Sequence, residues 1–264
     1  MTTTGASSTA VTEQHIYQAI AEVLDPELDE PLVKLGFIDR VQVDGADVSI
    51  TFKLPTYWCA PNFAYLMAAD LRKRASSVAG VRNVRVMLLD HCAEDEVTNG
   101  VNQDHSFADA FPGEGSEDEQ LEELRRIFLR KGFLMRQDAL LRQMVKLGLD
   151  EATLATLRVA DLRMDEEANA AFVTAQGREY RLERAGRTGS IYQQRRIALG
   201  LPHAVDDPLI IDDEGQPLRA GDLQQFLRRS RSIRMNIMFN TAMCKGLFHT
   251  RYGGSSVPDD DEDM

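Results

Sequence analysis

The dipeptide Asp44-Gly45 sits between two stretches of alternating side chains, and this arrangement limits what the chain can fold into more than any other feature. Asp-Gly is a strong signal for a two-residue hairpin turn. Gly36 to Val43 reads as one strand and Asp47 to Leu54 as its partner. In the partner, Val48, Ile50, Phe52 and Leu54 alternate with Ser49, Thr51 and Lys53, a period that buries one face and wets the other. Before the hairpin, Ile16, Ile20, Val23 and Leu24 share one helical face over Glu13 to Leu24. Asp25-Pro26-Glu27 ends that helix, because the residue before a proline is pushed out of the α region. After the hairpin come a helix from Asn62 to Ser76 and a strand from Val81 to Leu89, with Val84, Val86 and Leu88 on one face. The order is α-β-β-α-β, a small sandwich over residues 13–92.

Charge divides the rest. Residues 93–119 hold nine acidic side chains and no Lys or Arg, and Asp259 to Asp263 adds five more acids. These two segments outweigh the net charge of −12, so the remainder is slightly basic. Such runs are usually solvated. They predict an acidic linker over 93–119 and an acidic disordered tail over 253–264, and they argue against nucleic acid as the main partner. Residues 1–12 are small and polar, which predicts a disordered leader and a cytoplasmic protein. No run is apolar for the ~20 residues a membrane span needs.

Residues 120–252 read as mainly helical. Leu121, Leu124, Ile127 and Phe128 repeat at helical spacing, and further helices are expected over Leu134 to Leu147, Asp150 to Leu157, Arg187 to Leu199, Ala220 to Leu227 and Ser232 to Leu247. A hairpin is expected around Gln176-Gly177 and a short strand over Leu209 to Ile211. The fold class is therefore α+β: an N-terminal α-β-β-α-β sandwich, an acidic linker, and a mainly helical C-terminal domain with a small hairpin.

Topology points to one edge for chemistry. The second strand, its helix and the third strand form a β-α-β unit, so the two strands run parallel with a right-handed crossover. The ends of parallel strands share a sheet edge, where ligands commonly bind. Three loops should meet there: Asp25-Pro26-Glu27, Thr56 to Pro61, and Asp90-His91-Cys92. Cys59 also precedes a helix, whose free N–H groups favour an anion and hence a thiolate. Thiolate with imidazole suits iron–sulfur clusters or zinc. There are three cysteines, Cys59, Cys92 and Cys244, with no CxxC pair, which excludes a zinc ribbon and argues against a disulfide framework. The residues alone leave a plainer account open for each. Cys59 and Cys92 can be buried filler, His91 a surface histidine, and Asp25 and Glu27 a helix end.

The string Val23-Leu24-Asp25-Pro26-Glu27-Leu28, then Leu35-Gly36-Phe37-Ile38, the hairpin, Cys59 before a helix, and Gly80-Val81-Arg82-Asn83-Val84 resembles the metal–sulfur cluster assembly domain family of the SufT and PaaD type. The resemblance implies a scaffold or adaptor in iron–sulfur cluster assembly or in maturing iron-dependent enzymes, and no turnover enzyme. It carries over Asp25 and Cys59 as functional positions. Cys92 and His91 are added candidate ligands, with Glu27, Thr56, Tyr57 and Trp58 as a supporting loop. Three features depart from the family. Ala60 stands where a proline usually follows the cysteine. Tyr57 and Trp58 replace smaller residues. His91 and Cys92 stand where a proline and a tryptophan are common. These departures favour a dedicated client, such as an iron-dependent oxygenase, with iron or an iron–sulfur cluster held transiently. Expected partners are that client or other assembly proteins, with no membrane, and a homodimer is left open.

Gly148-Leu149-Asp150 through Leu162, with the following hairpin and Leu209 to Leu218, is similar in rhythm to the catalytic domain of tyrosine recombinases. Asp150 stands where that family's first catalytic arginine would be, and there is no His-x-x-Arg motif, which implies that strand cleavage is lost. Two alternative functions follow: a metal-free, client-specific chaperone or adaptor, and a nucleic-acid-binding module using Arg228, Arg229, Arg231 and Arg234.

Overall fold

The computed structural model describes residues 10–112, 118–165 and 167–253. The leader expected over 1–12 lies outside these residues up to position 9, and the acidic tail lies outside them from position 254. The helices are α1 (Glu13–Ile20), α2 (Pro61–Ser76), α3 (Glu94–Asn102), α4 (Phe107–Ala110), α5 (Asp118–Lys146), α6 (Glu151–Thr156), α7 (Gly186–Ala198) and α8 (Leu223–Tyr252). The strands are β1 (Leu24–Asp25), β2 (Glu30–Pro31), β3 (Ile38–Asp44), β4 (Asp47–Lys53), β5 (Asn83–Leu89), β6 (Leu162–Asp165), β7 (Ala170–Ala175) and β8 (Arg178–Leu182). The chain is α+β. It falls into two compact units: one runs to Leu124 and takes back the chain from Asn240, and the other spans Arg125–Phe239.

In the first unit, β3, β4 and β5 form one sheet in that order. β3 and β4 are antiparallel, whereas β4 and β5 are parallel in a register running from Asp47 opposite Asn83 to Lys53 opposite Leu89. Val48, Ile50, Phe52 and Leu54 are buried, as the alternation requires. The turn is displaced by one residue from its expected place. Asp44 pairs with Asp47, so Gly45 and Ala46 make the turn. Gly45 has φ +61° and Ala46 no positive φ, the pattern of a turn that needs glycine at its first central position. α1 is held at its start by Thr12, whose hydroxyl accepts the His15 N–H. It stops at Ile20, short of the expected end, because Leu24 and Asp25 leave the helix to pair with Pro31 and Glu30. Pro61 occupies the first turn of α2, where its missing N–H costs nothing.

Residues 93–119 were expected to be a solvated linker, yet they contain α3 and α4 and the start of α5. The acids Glu94, Asp95 and Glu96 all fall in the first turn of α3, where the helix dipole favours them. Val97 and Val101 are buried one turn apart, and so are Phe107 and Phe111. α3 also closes the open edge of the sheet. Asn102 Oδ1 accepts the Val86 N–H at 2.9 Å, its Nδ2 donates to the Val86 carbonyl at 2.6 Å, and Thr98 Oγ1 accepts the Leu88 N–H at 3.1 Å. Two side chains thus stand in for a neighbouring strand.

In the second unit, β6, β7 and β8 form an antiparallel sheet, and the hairpin turns at Gln176-Gly177 as expected. β6 adds a third strand to it. The two helices expected over 120–147 are one helix, α5, and those expected over 220–247 are one helix, α8. Leu209 to Ile211 forms isolated bridges at its flanks and no strand. Two buried polar groups organise the core. Arg196 donates to the carbonyls of Pro202, Pro208 and Leu209, while Asp138 accepts from Arg142 and Ser230 and pairs with Arg234 at 2.9 Å.

Replacing Asn102 with alanine strands the edge groups of Val86. The Asn102→Ala variant is expected to lose about 1–3 kcal/mol of unfolding free energy. Urea denaturation followed by circular dichroism measures this, and an unchanged midpoint would show that the edge does not depend on this side chain.

Candidate functional site

The parallel register delivers the chain out of β4 at Leu54 and out of β5 at Asp90, side by side. Two hydrogen bonds then join the loops that follow. The Cys92 N–H donates to the Tyr57 carbonyl at 2.9 Å, and His91 Nε2 lies 2.7 Å from the Cys59 carbonyl. The expected meeting of the 56–61 and 90–92 loops is therefore present.

His91 is 3 % exposed and takes a definite tautomer. Its Nδ1 accepts the Ala93 N–H at 3.1 Å, so the ring proton is on Nε2 and is donated to Cys59. Burial pushes the imidazole below its ordinary range, which keeps it neutral. Both nitrogens are thus committed to backbone groups. The side chain expected to be a ligand instead holds the shape of the cysteine loop.

Cys59 is half-buried and sits two residues before α2. Its Sγ lies 3.3 Å from Thr56 Oγ1. That hydroxyl oxygen already accepts the Trp58 N–H at 3.2 Å, which leaves its proton able to point at the sulfur. A hydroxyl donor in this position complements a sulfur that carries negative charge. Tyr57 and Trp58 pack edge to face with centroids 4.9 Å apart, and Trp58 is 78 % exposed. Cys92 is exposed.

Asp25 is buried, and its Oδ1 accepts the N–H groups of Glu27 at 2.9 Å and Leu28 at 3.0 Å. Burial raises its carboxyl to about 6, against the lowering effect of those two bonds and with a small push from Glu27 and Asp29. Asp25 therefore shapes its own loop, the plainer role, while keeping a proton that can leave near neutral pH.

Nothing in the sequence pattern had drawn Cys244 into the site. It lies on α8 in the stretch belonging to the first unit. Burial pushes its thiol up to about 12, and the charges of Asp25, Cys59 and Glu27 add to the rise. The thiol is thus within electrostatic reach of two site loops. The missed signal was helical spacing: Asn240, Cys244, Phe248 and Tyr252 recur every fourth residue, on one face. Asn240 Nδ2 donates to Glu27 Oε1 at 3.2 Å, and the Phe248 ring lies 5.1 Å from that of Phe37.

Among the described residues, no three His, Cys, Asp or Glu side chains gather into a group that could hold a metal ion. No helix among them is long and apolar enough to cross a membrane.

The Asp25 carboxyl gives a signed pH dependence. Its folded-state pKa lies above the ordinary value, so protonation favours the folded state. That contribution is fully present below about pH 4 and is lost as pH rises through about 6. The carboxamide of an Asp25→Asn variant would accept the same two N–H groups without a charge. The stability of D25N relative to wild type is expected to grow by up to about 3 kcal/mol between pH ~4 and ~7. Urea titrations across that range test it, and a constant difference would show that the carboxyl is not perturbed.

Residues 13–87 match the model of a family described as iron-sulfur cluster assembly protein, a segment that lies within the 13–92 sandwich and stops short of His91 and Cys92. The match covers just over a quarter of the chain. No curated protein matches the chain, and neither does any solved structure.

Proposed function

We propose that the first unit serves the assembly or maturation of iron centres, taking iron or an iron–sulfur cluster as transient cargo for a client metalloenzyme without turning over a substrate of its own. The observation that carries the proposal is the setting of Cys59 within the matched segment. Its carbonyl is held by His91, its sulfur faces the Thr56 hydroxyl, and its loop is tied to the next by the Cys92 amide. Cys59 offers one sulfur ligand, and Cys244 packs on the same core. Clusters are generally held by four protein ligands. The remaining ligands would come from the client or from a second copy, which suits hand-over better than storage. Tyr57, Trp58 and Ala60 favour one dedicated client, and an iron-dependent oxygenase fits the chemistry.

Anaerobic incubation with ferrous iron and sulfide tests the role of Cys59. Wild type is expected to gain visible absorption and bound iron, and Cys59→Ser to lose most of both. Equal iron and absorption in the two proteins would remove Cys59 from the role.

A metal-free adaptor is a second reading, favoured by the exposure of Trp58. An exposed Trp beside a Tyr is a strong anchor for a protein partner, where truncation commonly costs about 2 kcal/mol or more. In that version Trp58→Ala abolishes retention of the client on immobilised protein, and Cys59→Ser retains it. The opposite pattern in the same pull-down supports metal hand-over. The nucleic-acid reading draws less support, since Arg229 and Arg234 face carboxylates at 3.1 and 2.9 Å.

A further inference from the structure

The C-terminal half of α8 lies against the Asp25 loop, the end of β4 and the start of the loop that follows β5. Asn240 binds Glu27 in the Asp25 loop. Phe248 stacks against Phe37, just ahead of β3, and against Tyr252 at 4.9 Å. Arg251 donates to the Leu54 carbonyl at 3.4 Å and to the Asp90 carbonyl at 2.8 Å, and it pairs with the Asp90 carboxylate at 2.9 Å. The Tyr252 hydroxyl donates to the same carboxylate at 3.0 Å. Lys53 Nζ, at the end of β4, stands 5.2 Å above the Tyr252 ring. These anchors recur at three- and four-residue spacing, so a single helix face makes them all.

Cys59 belongs to the loop edge on which this face docks, its carbonyl held by His91 beside Asp90. It packs against the same core as Cys244 and Phe248. Leu54 and Asp90, the two residues whose carbonyls Arg251 grips, are the roots of the two loops that the His91–Cys59 bond ties together. Most of the anchors are polar contacts near the surface, and the Asp90 side chain is 52 % exposed. Contacts of that kind open locally at small cost compared with a buried core.

We propose that residues 240–252 form a releasable strap that shields the Cys59 thiol, and that the site becomes accessible when the strap lifts. Arg251 and Asp90 form its latch. Cys244 rides on the strap and leaves with it, so release also takes the second thiol away from Asp25. The purpose given to the strap rests on the assembly role of Cys59, but the shielding does not.

The full chain tests the proposal without iron. Alkylation by iodoacetamide, followed by peptide mass spectrometry, gives the labelling rate of Cys59 relative to that of the exposed Cys92 in the same molecule. Losing a charged hydrogen-bonded latch should raise the opened population roughly tenfold, so Arg251→Ala is expected to raise the ratio by about that factor, and Phe248→Ala, which removes the ring contact with Phe37, to raise it as well. Asp90→Asn loosens the latch from the sheet side. Asn tolerates the left-handed backbone of this position, where φ is +60°, so this variant decides if the helix variants fail to fold. An unchanged ratio in variants with native circular dichroism would overturn the strap. A raised ratio in a protein that never takes up iron would leave the strap standing and defeat the assembly reading.

Discussion

Two parallel strands must both end on the same side of their sheet, and the arrangement of the first unit follows from that constraint. β4 and β5 pair without a register shift from Asp47 and Asn83 to Lys53 and Leu89. The chain therefore leaves both strands at one level, and α2 supplies the crossover between them. Everything proposed for chemistry lies close to that exit. The two backbone-level bonds, from Cys92 to Tyr57 and from His91 to Cys59, convert a meeting of loops into a fixed geometry. A neutral, buried imidazole suits this role, since burial penalises the charged form and a neutral ring can both donate and accept.

A three-stranded sheet leaves two edges to be managed, and the first unit closes the β5 edge with side chains instead of a strand. Asn102 mimics a peptide group, with one acceptor and one donor facing Val86, and Thr98 satisfies the next free amide. This explains why an acidic stretch can form α3 and pack against the sheet. Three of its nine acids fall in the first turn of α3, and its buried apolar side chains are placed one helical turn apart. Average composition over 93–119 reports the charge but not the spacing.

The candidate ligands also divide by what their atoms are already doing. His91 and Asp25 spend their polar atoms on backbone groups and so give the site its shape. Cys59 keeps a sulfur with a hydroxyl neighbour, and Cys92 keeps an exposed one. The exposed aromatic pair beside Cys59 places a contact surface next to that sulfur, which the proposed hand-over between proteins requires.

Local patterning determined much of the first unit. Period-two alternation set the faces of β4 and β5, and the β-α-β order was enough to bring the Cys59 and His91 loops together. Those features depend on neighbours in sequence and on the handedness of the chain. The proline at position 26 marked where a helix could not continue, but α1 ended earlier, since the pairing of Leu24 and Asp25 with β2 claimed those residues first. The hairpin turn shifted by one residue because the glycine, and not the dipeptide as a whole, sets where positive φ is available. The length of α5 and α8 was not legible, because weak periodicity in the sequence does not show whether tertiary packing sustains a helix through it. The place of Cys244 was decided only by tertiary structure. It is nearly two hundred residues from Cys59 in the chain, and no local rule states where the far end of a long helix will dock. Sequence alone identified Cys59 as the thiol to watch, and the fold added a helix face that packs on the same core and grips the neighbouring loop roots.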